Sequence, residues 1–331
     1  MQLVLSLVDF AVKALVVFVT FAACVSYVVA RARRPREVEP EVRVKEVSVR
    51  WRHMAEGLRA ALSPPKQRKK LEQELRAADK QLAASPPDGG RVFVVDFHGD
   101  MMATEAETLR EEVNAITGVA DAKDEVVVRL ESSGGAVHSY GLAASQLARI
   151  RAKGIPLTVC VDKVAASGGY LMACVGSRIV AAPFAVVGSI GVVAPLPNVH
   201  RLLDRVGIDY EDVTAGRFKR PVTVLGEQTE EGKAKLREQL QETHALFKRF
   251  VGDMRPSLDI ETVATGEHWY GTRAKELGLV DELATSDDYL MERAKTARVF
   301  EVECVRPRRV RERAASLMRS AMAKFEALVD R

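Results

Sequence analysis

Residues 155–174 read IPLTVCVDKVAASGGYLMAC. The first eight, bounded by Pro156 and Asp162 and rich in β-branched residues, have the composition of a strand. A short helix follows Ser167, which sits between two alanines and two glycines. A small polar residue at such a joint has two readings. Its side chain can cap the new helix by accepting one of the free backbone N–H groups. It can also be a nucleophile held on a rigid turn beside those same N–H groups. The stretch alone leaves both open, and Gly168 and Gly169 let other backbone approach closely in either case.

The same alternation continues outward. RVFVVDF (91–97) reads as a buried strand, TEAETLREEVNAI (104–116) as a helix and EVVVRL (125–130) as a strand. SYGLAASQLARIRA (139–152) reads as a helix and SRIVAAP (177–183) as a strand. Strands alternating with helices imply an α/β layered domain. Residues 229–254 form a long amphipathic helix pattern with Thr229 placed as N-cap, and the tail 305–331 has an Arg-rich amphipathic one. Ile179 to Val199 carry no charge over 21 residues. Pro183, Gly188, Gly191, Pro195 and Pro197 interrupt this run, so a buried sheet with tight turns is expected there and not a membrane span.

The N-terminal region differs. Residues 14–30 are 17 uncharged, mostly apolar residues, extended backward by LVLSLVDF at 3–10. This length suits an uncleaved membrane anchor. Arg31, Arg33, Arg34 and Arg36 follow directly and favour a cytoplasmic location for the rest. Residues 31–90 hold 15 Lys and Arg against 9 Asp and Glu, although the whole chain carries only +4. A basic excess beside an apolar N-terminus points to a membrane surface and away from nucleic acid. Residues 37–90 read as a charged spacer. Within it, 66–84 form a charged helix between Pro-rich breaks, either solvated or in contact with anionic lipid head groups. Cys24, Cys160, Cys174 and Cys304 show no CxxC spacing, so neither a disulfide framework nor zinc is expected. The layout is therefore an anchor over 1–30, a basic spacer over 31–90, the α/β domain over 91–297, and a terminal strand and helix over 298–331.

Two further stretches could carry chemistry. In LESSGGAVHSYG (130–141), Gly134 and Gly135 follow a strand and precede a helix. Paired glycines there can aim backbone N–H groups at an oxyanion, or simply make a turn. Lys219, in DVTAGRFKRPVTVLG (212–226), can serve as a base if burial keeps it neutral, or can be an ordinary solvated lysine. His53, His98, His138, His200, His244 and His268 lie in no G-x-S-x-G or related setting and read as structural.

Taken together, ESSGG (131–135), VDKVAASGGY (161–170), FAVVGSIGVV (184–193), TAGRFKR (214–220) and GEHWYGTRAKELGLVDEL (266–283) occur in the order found in family S49 peptidases, the signal peptide peptidase A type. The chain resembles that family from the anchor to about residue 297. The resemblance implies a ClpP/crotonase-like α/β fold and a membrane-anchored serine endopeptidase of the bacterial inner membrane. Such an enzyme acts on membrane-associated peptides such as signal-peptide remnants. The resemblance also implies a Ser–Lys dyad, with Ser167 as nucleophile and Lys219 as general base. Gly134 and Gly135 match the oxyanion donors, and Ser189 matches a serine that orients the lysine. No metal or cofactor is implied. Homo-oligomers are implied, with serine and lysine contributed by adjacent subunits in some members. The chain departs from the family pattern at Ser133, where proline is usual, which leaves the oxyanion loop less constrained. Two other readings are a membrane scaffold with an idle dyad and a crotonase-like acyl-CoA enzyme.

Overall fold

The computed structural model describes residues 41–84 and 90–305. The expected anchor, the arginine cluster after it and the Arg-rich terminal helix lie outside the described residues.

β1 (Glu41–Glu46) leads directly into α1 (Val47–Leu62), and a tight turn joins this helix to α2 (Pro65–Ala84). Then follow β2 (Arg91–Gly99), α3 (Ala106–Val119), β3 (Glu125–Ser132), α4 (Val137–Ala152), β4 (Leu157–Val161), β5 (Val164–Ala166) and α5 (Gly168–Ala173). β6 (Arg178–Ala181), β7 (Val186–Gly188), α6 (His200–Arg205), α7 (Glu230–Met254), α8 (Ile260–Val263) and β8 (His268–Tyr270) come next. The chain continues through α9 (Gly271–Glu276), β9 (Glu282–Leu283), α10 (Ser286–Arg293) and β10 (Arg298–Val305). Among the described residues these strands make one mixed sheet in the order β1-β10-β2-β3-β4-β6-β9, with a side branch β5-β7-β8 beginning at β3.

The apolar runs are continuous because both faces of the central strands are covered. In β2, Phe93, Val95 and Phe97 enter one core layer, while Val92 and Val94 enter the other. The first layer holds the buried faces of α3, α4 and α5 with Phe247 and Val251 of α7. The second is closed by Val47, Tyr289 and Leu290. One ion pair ties the first layer to the sheet edge, its arginine buried and its aspartate exposed. Arg255 holds both carboxylate oxygens of Asp281 at 2.7 Å, and Asp281 also accepts the Ile179 N–H.

Thr229 caps α7 as its position implied, its hydroxyl accepting the Gly232 N–H at 3.0 Å. Ile179, Val180, Ala181, Ala185, Val187 and Ile190 are buried in β6, β7 and the residues beside them. Among the described residues no helix is long and apolar enough to cross a membrane. The second half of 179–199 differs from the expectation. From Gly191 onward it opens an irregular arm running to Thr229, with Val193, Leu202, Val206 and Val213 exposed.

The spacer expectation also differs over residues 41–62. β1 pairs antiparallel with β10, from Glu41 opposite Val305 to Glu46 opposite Phe300. Glu46 binds Arg298, and Val47 and Trp51 pack on the second core layer. The strand escapes sequence detection because it is an edge strand. Its residues Glu41 to Lys45 are all exposed, and its alternating charges resemble those of a solvated segment.

Candidate active site

β5 and β7 are short parallel neighbours, with Ala166 registered against Gly188. A serine follows each strand, Ser167 and Ser189, so the ladder itself brings these two residues side by side. The Ser167 N–H donates to the Gly188 carbonyl at 2.8 Å, and the Ser189 N–H to the Glu267 carbonyl at 2.6 Å. Both serines are half-buried, and both have positive φ, 52° and 53°. A non-glycine residue in that region costs of order 1–3 kcal/mol and persists only where surrounding structure enforces it. Ser167 occupies the N-cap position of α5, yet its side chain makes no capping bond. Its hydroxyl has no hydrogen-bond partner among the described residues. The capping role open to it in the sequence is therefore not the one it takes.

The glycines around it are required by close approach. A methyl group on Gly168 would lie 2.4 Å from the Tyr140 ring, and one on Gly169 would lie 2.5 Å from the Ser132 carbonyl oxygen. Gly134, with φ 88°, packs its α-carbon against Ser167. A methyl there would fall 2.7 Å from Gly168 N and 2.8 Å from Ser167 Cβ. On Gly135 it would fall 2.1 Å from the Met101 carbonyl oxygen. The loop 133–135 thus lies directly on the serine joint.

The two glycine N–H groups of this loop differ in their bonding. The Gly134 N–H is already engaged, donating to Ser132 Oγ at 3.0 Å. The N–H groups of Gly135 and Gly168 have no protein acceptor among the described residues. The Gly134 bond is the first link of a chain. Ser132 Oγ and Tyr140 Oη are 2.5 Å apart, and the Tyr140 hydroxyl donates to the Asp100 carbonyl at 2.7 Å. With the Tyr140 proton on the Asp100 carbonyl, the Ser132 hydroxyl donates to Tyr140, and it also lies 3.4 Å from the Gly99 carbonyl. Tyr140 is fully buried, and burial pushes its phenol above the ordinary value, so it remains a donor. Asp100 in turn holds the loop over Gly135, accepting the N–H groups of Met102 and Thr104. Ser132 and Tyr140 were invisible as site residues in the sequence, where one reads as a strand end and the other as helical core.

Lys219 lies elsewhere in the arm. It is exposed, its N–H closes a turn onto the Gly216 carbonyl at 3.1 Å, and its ammonium has no partner among the described residues. Its neighbours fasten the arm to α7. Arg217 pairs with Glu231, and Lys235 lies 5.7 Å from the centre of the Phe218 ring. The single chain therefore brings Ser167, Ser189, Gly134 and Gly135 together, but no hydrogen bond joins Lys219 to them. His98, His138 and His268 are exposed and do not bond Ser167. His244 on α7 contacts the Ile190 carbonyl at 3.2 Å, one residue beyond Ser189. Among the described residues no group of His, Cys, Asp and Glu is arranged to hold a metal ion.

Comparison with known proteins gives concordant matches. Residues 149–300 match Peptidase family S49, and residues 2–147 match Peptidase family S49 N-terminal. The chain is 61% identical over 212 residues to the "Probable protease SohB" of Haemophilus influenzae, covering 64% of this chain and 60% of that one. It is 53% identical over 223 residues to the "Probable protease SohB" of Buchnera aphidicola subsp. Acyrthosiphon pisum, covering 67% and 66%. The matched part thus spans about three fifths to two thirds of these relatives. Among solved structures, the "1510-N membrane protease specific for a stomatin homolog from Pyrococcus horikoshii" aligns at 12% identity with a TM-score of 0.39, covering 62% of this chain and 78% of that one. With the two S49 matches together running along nearly all of its length, the chain belongs to peptidase family S49.

Proposed function

We propose that this protein is a serine endopeptidase with Ser167 as nucleophile and Lys219 as general base. The observation that carries this reading is the Ser167 joint: a strained, uncapped serine beside two unoccupied backbone N–H groups, with glycines wherever a side chain would block it. Neutral Lys219 Nζ accepts the Ser167 proton as Oγ bonds to the peptide carbonyl carbon. The N–H groups of Gly135 and Gly168 stabilise the resulting oxyanion. The C–N bond breaks, and the lysine ammonium gives its proton to the departing amine. Water, losing a proton to Lys219, then attacks the ester carbonyl; the C–Oγ bond breaks, and the lysine ammonium returns its proton to Ser167 as the acid leaves. Ser189, beside Ser167 on the ladder, is the residue that orients the lysine.

A lysine base needs a desolvated environment, and Lys219 is exposed in the single chain. The reading therefore includes a homo-oligomer. Exposed Val193, Val206, Ile208 and Val213 on the same arm give it an apolar surface for a neighbouring copy, which would bury the arm and complete the site. Residues 14–30 anchor the chain in the inner membrane with the domain on the cytoplasmic face, and the substrates are membrane-associated peptides such as signal-peptide remnants.

Peptide hydrolysis by the full-length protein in membranes tests this. Ser167→Ala and Lys219→Ala should each lose activity without a change in melting temperature. Lys219→Arg should be as inactive as Lys219→Ala, because arginine stays protonated. Near-normal turnover in Lys219→Arg would remove the lysine from the mechanism.

A further inference from the structure

The hairpin of α1 and α2 carries a surface that the peptidase site does not use. Its tip, residues 57–71 (GLRAALSPPKQRKKL), contains Arg59, Lys66, Arg68, Lys69 and Lys70 and no acidic residue. The helix before the turn presents Met54, Leu58 and Leu62, which are 61%, 64% and 81% exposed. Spaced four apart, these three form one stripe. The contacts with α2 come from another face. Arg52 and His53 both bind Asp79, at 3.0 and 2.7 Å, and Arg52, Glu56 and Ala60 are half-buried. A step of two residues turns a helix by about 200°, so the apolar stripe faces away from that line of contacts.

The tip is ordered by its own bonds. Ser63 Oγ donates to the Arg59 carbonyl at 2.7 Å, and the Arg68 guanidinium donates to the carbonyls of Ser63 and Ala61 at 2.9 and 3.3 Å. Lys66 and Lys69 have no ion-pair partner among the described residues. An apolar stripe ending in unpaired cations selects among partners. A nucleic acid would match the cations and leave Leu58 and Leu62 in water. A second copy would match the stripe and set Lys66, Arg68 and Lys69 against the same three, whereas Arg59 and Lys70 are paired with Glu56 and Glu74. An anionic bilayer matches both, because apolar side chains enter the head-group boundary while lysines meet lipid phosphates. The apolar run ends at Ala30, and the eleven residue steps to Glu41 extend to at most about 40 Å. We propose that the α1–α2 tip docks on the anionic lipid surface of the membrane through Leu58, Leu62 and the lysines of 66–70, as a second contact besides the anchor. This rests on the proposed membrane attachment and is independent of the peptidase reading.

The test places an environment-sensitive nitrobenzoxadiazole label at the tip of the full-length chain, using Leu62→Cys with Cys24→Ser. Cys160, Cys174 and Cys304 are buried and do not compete. The protein is reconstituted in nanodiscs of phosphatidylcholine, with or without phosphatidylglycerol. Docking should give a blue shift and a several-fold rise in emission with phosphatidylglycerol only. High salt, or the triple change Lys66→Glu, Lys69→Glu and Lys70→Glu, should reverse it. A label on Gln73→Cys, at an exposed site on α2, should respond less. Identical spectra in both lipids would overturn the proposal. So would a blue shift in detergent that follows protein concentration, which would assign the stripe to a second copy. If the chain does not enter nanodiscs, the anchor fails; adding phosphatidylglycerol vesicles to the labelled protein then reads the tip alone. Peptide turnover by the triple variant reports separately on the catalytic reading.

Discussion

At the scale of single residues, strain and close approach separate the site from ordinary turns. Gly134 is the sharpest case, since alanine there would need both a positive φ and room that Gly168 N and Ser167 Cβ already fill. Gly134→Ala should therefore displace the oxyanion loop. A fall in kcat of about 10²-fold or more is expected, the scale of losing one oxyanion donor. Steady-state kinetics beside a melting curve checks it, and unchanged kcat would detach the loop from catalysis. Tyr140 acts one step further back, as a positioning residue. Tyr140→Phe keeps the buried ring and removes the hydroxyl that links Ser132 to Asp100. A drop in kcat of about tenfold with KM unchanged is expected, and adding Ser132→Ala should cost little more, because both changes break one chain. Additive losses, or a change confined to KM, would contradict the relay.

The glycine pairs and Ser167 were legible in the sequence because only a few residue types suit such joints. The positive φ of Ser167 and Ser189 was not. A serine before a helix reads equally well as a cap, and only its backbone geometry separates the two. The proline absent at position 133 suggested a looser loop, but the bond from Gly134 N–H to Ser132 Oγ provides a restraint there.

At the scale of elements, most of α3 to β6 was legible, because strands buried on both faces and amphipathic helices leave strong patterns. β1 was not, for an edge strand exposed from Glu41 to Lys45 leaves none. Its pairing with β10 brings α3 and β10 to the wall of a cleft of about 410 Å³, where Glu112 accepts the Cys304 N–H at 2.8 Å. Burial pushes the Glu112 carboxyl up to about 7. An acid with a raised folded-state value binds its proton more tightly when folded. Its contribution to stability is thus fully present below the unfolded value near 4.5 and is lost as pH rises toward 7. Glu112→Gln should remove this pH dependence and stabilise the protein above pH 7 by on the order of 2–3 kcal/mol. Melting temperatures of both proteins across that range check it. Curves that stay parallel would show that Glu112 does not titrate there.

At the scale of the whole molecule, the fold brings Ser167, Ser189 and the glycine loop 133–135 together at the end of one sheet. It leaves the lysine on an exposed arm that also presents apolar side chains. The sequence showed the order of these motifs along the chain. It could not show that the arm, from Gly191 to Thr229, stands apart from the serine joint, because its uncharged start resembles the buried strands before it. The central claim is that Ser167 is an activated nucleophile in the assembled protein. Mass spectrometry of the full-length chain in membranes, after treatment with a serine-directed fluorophosphonate, tests it most directly. A single adduct on Ser167 is expected, absent from Ser167→Ala and formed far more slowly in Lys219→Arg. An unmodified Ser167 in folded protein, or labelling that persists unchanged in Ser167→Ala, would contradict the account.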